Sequence, residues 1–187
     1  IEKLENAGVE TFHLEEMELF AQAYGEALKL VKPQSLDYVL MYKDIATVSL
    51  ERGYFDLAIK YNQSIFKKAI EMDSEADILS TLYQLDHLYT LLQFQDKILP
   101  YYWEAATYFK NKEKKRETAI LLNQAADILW ELNKNREAFI CFTEVLKLIA
   151  YAPMIESSTL FLNLGILSLE LNQSLEANHY LLPALKY

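Results

Sequence analysis

Glycine and proline are scarce in this chain of 187 residues, at four each, and cysteine occurs once. Average usage would place roughly 22 glycines and prolines in a chain of this length. The shortage excludes a turn-rich β architecture, a collagen-like repeat, a glycine-rich phosphate loop and a proline-rich linker, because each needs the residues that are missing. A lone cysteine, Cys141, excludes an internal disulfide framework and points to a reducing compartment, so a cytoplasmic location is expected. No apolar run approaches the ~18 residues of a membrane span, and no charged-then-apolar signal peptide opens the chain. Positive charge is also short. Lys+Arg number 18 against 27 Asp+Glu, a net charge of −9, and that field makes nucleic acid and membrane surfaces poor partners. Seven glutamates fall within residues 1–31, against Lys3 and Lys29, and read as a solvated acidic face. Because the first residue is isoleucine and the last is a tyrosine in an apolar run, the sequence reads as a segment of a longer protein.

What is abundant is apolar residues, 52% of the chain, enough for a folded core. They recur at three and four, as in Met41, Ile45, Val48 and Leu121, Ala125, Ile128, which is the helical period. Breaks fall at Lys32–Ser35, Arg52-Gly53, Met72–Ser74, Gln93–Asp96, Asn111–Lys115, Asn133–Asn135, Ala152-Pro153 and Asn172–Ser174. They divide the chain into about nine helices whose short connections make consecutive helices antiparallel neighbours.

The breaks repeat. Gly53-Tyr-Phe-Asp-Leu-Ala58-Ile, Asn133-Lys-Asn-Arg-Glu-Ala138-Phe and Asn172-Gln-Ser-Leu-Glu-Ala177-Asn superimpose without gaps, with Ala58 and Ala138 80 residues apart and Ala138 and Ala177 39 apart. A middle unit is then expected to centre on position 98, where Ile98 replaces the alanine. The expectation is a single all-α domain over 1–187: a helix over about 12–31, then hairpins over about 39–73, 79–113, 119–152 and 158–187. Each hairpin buries one stripe and leaves another that its neighbour covers, so stacking yields a superhelical solenoid of antiparallel helix hairpins. Ala46, Ala126 and Gly165 let paired helices approach, while Phe139, Phe142 and Val145 fill the space between hairpins.

These units resemble tetratricopeptide repeats (TPRs), which carry a small residue within the first helix, a Gly/Asn/Asp-rich turn and an alanine early in the second. The last unit matches best, with Asn163-Leu164-Gly165, then Asn172, Ala177 and Ala184. The resemblance covers about four fifths of the chain, as about four and a half repeats. The aromatic expected near the start of each first helix reads Tyr42, Leu82, Leu122 and Phe161, and the proline between units is mostly missing. A 40-residue period also exceeds the ~34 of the usual unit, and long units of this kind look like those of bacterial regulators, including peptide-sensing receptors.

The resemblance implies a concave groove lined by one face of the first helices. In this chain that face carries Lys43 and Thr47, then Tyr83, Gln84 and His87, then Asn123, Gln124, Asp127 and Trp130, and finally Asn163. Amide side chains offer both donor and acceptor to a peptide unit, so Asn123 and Asn163 are expected to clamp an extended backbone while Tyr83, Trp130 and Leu162 take side chains. A basic clamp for a terminal carboxylate would need several cations, and Lys43 is the only one on this face. The expected function is a non-catalytic protein- or peptide-binding module, the partner-sensing solenoid of a larger regulatory protein. The alternative is a scaffold or oligomerisation domain without a groove ligand. An RNA-binding repeat should have a basic groove, against which Asp44 and Asp127 stand.

Other constellations read as structural. No nucleophile elbow, P-loop, zincin helix or Cys-x-x-Cys pair occurs, and neither cofactor nor metal is expected. Glu10/His13 and Glu176/His179 have the spacing of di-iron carboxylate ligands, but the repeat register puts them at opposite ends of the molecule. Cys141 reads as core, and the run Lys110, Lys112, Lys114, Lys115, Arg116 as a solvated turn. Asp86 stands where other units have a small residue, which requires a partner or a spread hairpin, and the spread is the preferred reading. Leu175, Leu181, Leu182 and Leu185 have no following unit to cover them, so self-association through this end is expected, with Pro183 kinking the last helix.

Overall fold

The computed structural model describes residues 36–185 and isolated positions between Glu16 and Leu30. Described residues of the expected 12–31 helix, such as Glu16, Leu19 and Glu26, are helical as far as Lys29, Leu30 is a turn, and the rest of that segment lies outside the described residues. Eight α-helices follow: α1 (Leu36–Glu51), α2 (Phe55–Glu71), α3 (Glu75–Leu91), α4 (Leu99–Asn111), α5 (Lys115–Glu131), α6 (Asn135–Leu148), α7 (Ser157–Glu170) and α8 (Ser174–Ala184). Short 3-10 turns, Gln95–Ile98 and Ile149–Tyr151, precede α4 and follow α6. Among the described residues there is no strand, and no helix is long and apolar enough to cross a membrane.

One turn recurs six times. Gly53, Asp73, Gln93, Glu113, Asn133 and Asn172 all have φ between 57° and 78°, the left-handed region. In each case the residue's own N–H bonds a carbonyl three residues back, and the following N–H bonds one five residues back. Gly53 N–H to Leu50 O at 3.0 Å with Tyr54 N–H to Ser49 O at 2.8 Å is the first instance, and Asn172 to Leu169 with Gln173 to Ser168 the last. This is the Schellman closure, which satisfies carbonyls left over at a helix C-terminus. In five of the six, the carbonyl of the residue after the left-handed one accepts the first bond of the next helix, as in Ala58 N–H to Tyr54 O at 2.9 Å. The chain therefore reverses at once. Only Gly53 adopts this backbone without a Cβ penalty.

The helices fall into two compact units, Ile1–Leu88 and Tyr89–Tyr187. In the first, α1 packs on α2 around Val39, Ile45, Ala46, Tyr61 and Ile65, with Met41, Tyr42 and Leu57 at the edge and the Tyr42 and Tyr61 rings edge to face at 5.0 Å. In the second, α4 packs on α5, α5 on α6, α6 on α7 and α7 on α8. Ala58, Ile98, Ala138 and Ala177 are fully buried, as are Ala126, Phe142 and Val145. Phe139 meets the Tyr180 ring at 6.0 Å, joining α6 to α8.

Gly165 shows what the small position is for. A Cβ there would overlap Leu181, lying 2.6 Å from its Cγ, so α7 and α8 approach over a glycine. Leu181, expected to be uncovered, is half-buried for that reason, whereas Leu175, Leu182 and Leu185 are exposed. Pro183 sits inside α8, which continues to Ala184. Asp86 is half-buried and has an interaction partner.

Candidate functional site

In the first unit, Lys43 and Thr47 come from α1 and Tyr83, Gln84 and His87 from α3. Thr47, Gln84 and His87 are exposed, and Tyr83 presents 55% of its surface to solvent. Lys43 is already engaged. Its ammonium donates to Asp77 on α3, whose other oxygen accepts from the Ser74 hydroxyl at 2.9 Å. Burial alone would raise the Asp77 carboxyl, but the hydrogen bonds from Lys43 and Ser74, with the Lys43 charge, hold it below its ordinary value. The one cation of the expected groove face is thus committed to a neighbour within its own unit.

The second unit holds Asn123, Gln124, Asp127 and Trp130 on α5 and Asn163 on α7, all half-buried. Spacings of three and four place the α5 residues on neighbouring parts of one helical surface. The Asn123 amide donates to Asp127 Oδ2 at 3.0 Å. Burial pushes the Asp127 carboxyl up to about 6, and repulsion from the Glu131 carboxylate adds to the shift. Gln124 Oε1 is buried without a hydrogen-bond partner. Trp130 packs edge to face on Phe142 at 6.3 Å, and its indole N–H points to Glu170 Oε2 on α7 at 3.3 Å. The same oxygen accepts from Asn135 Nδ2 at 2.9 Å. Asp127, Trp130 and Glu131 line a shallow depression of about 510 Å³. Asn163 lies on α7 about two turns before Glu170.

Three partners escaped the sequence reading: Asp77, Asn135 and Glu170. The signal for Glu170 was available, because it stands 40 residues after Trp130, one repeat along. Asp77 and Asn135 lie 34 and 35 residues from their partners, where no simple offset points to them.

Elsewhere, Lys110, Lys112, Lys114, Lys115 and Arg116 are all exposed, and Lys115 donates to the Tyr151 hydroxyl at 3.1 Å while sitting 4.4 Å from its ring centre. A nearby depression of about 390 Å³ mixes Lys110, Lys115 and Lys147 with Glu113 and Glu144. Cys141 is buried, and burial pushes its thiol up to about 11, with Glu137 and Glu144 adding to the effect. Glu176 and His179 are exposed, while Glu10 and His13 lie outside the described residues. Among the described residues, no group of three His, Cys, Asp or Glu side chains is placed to hold a metal ion.

No protein-family model and no curated protein matches this sequence. Solved structures do match the fold. BtubC (BKLC) from P. vanneervenii is 18% identical with a TM-score of 0.58, over 92% of this chain and 74% of its own. MamA is 15% identical with a TM-score of 0.52, over 88% of this chain and 84% of its own. Both are TPR-like helical-repeat proteins, and the present chain shares that fold: all-α, built of antiparallel helix hairpins, in the TPR-like solenoid class.

Proposed function

We propose that this chain is a non-catalytic TPR-type module that binds an extended protein segment, serving as the partner-sensing part of a larger regulatory protein in a reducing, cytoplasmic setting. The observation that carries the reading is the α5 face of the second unit, where half-buried polar side chains keep hydrogen-bonding capacity beside an open depression. Asn123 donates one amide hydrogen to Asp127 and has a second to offer. Such groups stabilise a bound backbone because unmade bonds are completed on binding. Asn163 on α7 of the same unit extends the proposed contact set, and Lys43, Thr47, Tyr83, Gln84 and His87 form a separate proposed contact set within the first unit. The test is retention of a randomised 11-residue peptide library on the immobilised chain. Asn123→Ala or Asn163→Ala should cost roughly 1–3 kcal/mol of affinity for a retained peptide with little change in melting temperature. Retention no better than a blank surface refutes the reading.

A second reading, self-association, is favoured by a separate observation. Leu175, Leu182 and Leu185 on and just after α8 are 89%, 62% and 84% exposed, beside a depression of about 420 Å³ lined by Leu162, Leu181, Ala184 and Leu185. Light scattering distinguishes the two: Leu182→Glu with Leu185→Glu lowers the mass of a self-associating chain and leaves that of a monomer unchanged.

A further inference from the structure

We infer that the depression lined by Asp127, Trp130 and Glu131 receives an arginine side chain of the bound protein segment. The inference rests on the peptide-binding reading and names the residue that anchors the peptide. Its first support is charge complementarity. Two carboxylates line the depression together with an indole and no cation, and a third carboxylate, Glu170, sits at the indole N–H. The second is an acceptor left over on Glu170. Both bonds to Glu170 fall on Oε2, which leaves Oε1 open to a further donor.

A surface that is rich in acceptors and acidic selects a ligand that is rich in donors and positive. Guanidinium carries five N–H donors in a planar fork and no acceptor, and it stacks on indole faces. An ammonium offers fewer donors and no plane to lay against Trp130. The indole is held from two sides, by Glu170 at its N–H and by Phe142 edge to face, so little ordering is left to occur on binding. An incoming cation also relieves the repulsion between Asp127 and Glu131 that burial intensifies.

The experiment uses the full chain, immobilised, and three pools of 11-residue peptides with randomised flanks and a fixed central residue: arginine, its neutral isostere citrulline, or glutamate. The arginine pool should be retained at least tenfold more than the citrulline pool, and the glutamate pool least. Asp127→Asn with Glu131→Gln should abolish the preference for arginine, and so should a large part of it be lost in Glu131→Gln alone, an exposed position where folding is not at risk. A control that removes the same charge elsewhere, Glu51→Gln with Asp56→Asn, both exposed in the first unit, should preserve the preference. Equal retention of arginine and citrulline pools overturns the arginine anchor and leaves peptide binding standing. An equal loss in the control overturns it too, because the effect is then long-range charge. Retention of no pool overturns both the anchor and the peptide-binding reading beneath it.

Discussion

Replacing Asp127 by asparagine should make the protein more stable and a poorer binder at the same time. The side chain keeps its shape and loses its charge. Ionised Asp127 is held where burial and the Glu131 carboxylate both disfavour the charge, with its pKa raised from 3.8 to about 6. A shift of about two units corresponds to an upper bound of about 3 kcal/mol. The residue is only half-buried, so solvent screening reduces the expected gain to about 1 kcal/mol. The sign follows from proton counting. Between about pH 4 and pH 6 the folded chain holds a proton on Asp127 that the unfolded chain has released, so this residue's contribution to stability falls as pH rises through that window and is flat above it. Urea denaturation of both proteins at pH 4, 5, 6 and 7.5 measures this directly. The advantage of Asp127→Asn should be near zero at pH 4, grow to about pH 6 and then remain constant. An advantage independent of pH, or a loss of stability at pH 7.5, refutes the claim that a strained carboxylate is stored on this face.

The remaining expectations concern the fold that presents it. Gln93 and Glu113 hold left-handed backbones at φ 60° and 57°, so Gln93→Gly and Glu113→Gly should each raise stability by about 0.5–1 kcal/mol, with a smaller gain for Asn133→Gly because asparagine tolerates that region. Gly53→Ala should cost about 1 kcal/mol, and unchanged urea midpoints across the set would remove the argument from turn strain. At Gly165, alanine gains about 1 kcal/mol of helix propensity but overlaps Leu181, an overpacking that costs about 1–3 kcal/mol. The substitution should therefore destabilise the native chain and stabilise the Leu181→Ala background. Additive effects in that double-mutant cycle would mean that Leu181 swings away freely.

Local sequence was enough to read the helices, their turns and the repeat. Apolar spacing of three and four is a property of one helix, and the reversals fall at Gly53, Asp73, Gln93, Glu113, Asn133 and Asn172, where the chain showed breaks in that pattern. The small positions were legible for the same reason: Ala46, Ala126 and Gly165 recur at a fixed place in the unit, and all three are buried. Sequence could also nominate the α5 face, because Asn123, Gln124, Asp127 and Trp130 fall at helical spacing on it.

What those residues do on that face depended on packing between elements. Lys43 is bound to Asp77, Asp127 is half-buried beside Asn123, and Glu170 reaches both Trp130 and Asn135. Each of these pairings, apart from Asn123 with Asp127, joins residues on different helices, and which side chain arrives opposite which is set by how the helices cross and how far each turn advances. Even the contact within α5 acquires its electrostatic character from burial, which α5 alone does not supply. A repeat offset predicts which helices are neighbours to within a residue or so. Hydrogen bonds and desolvation are decided over about an ångström, a distance several times shorter than the roughly 5.4 Å helical turn whose period is what the sequence pattern resolves.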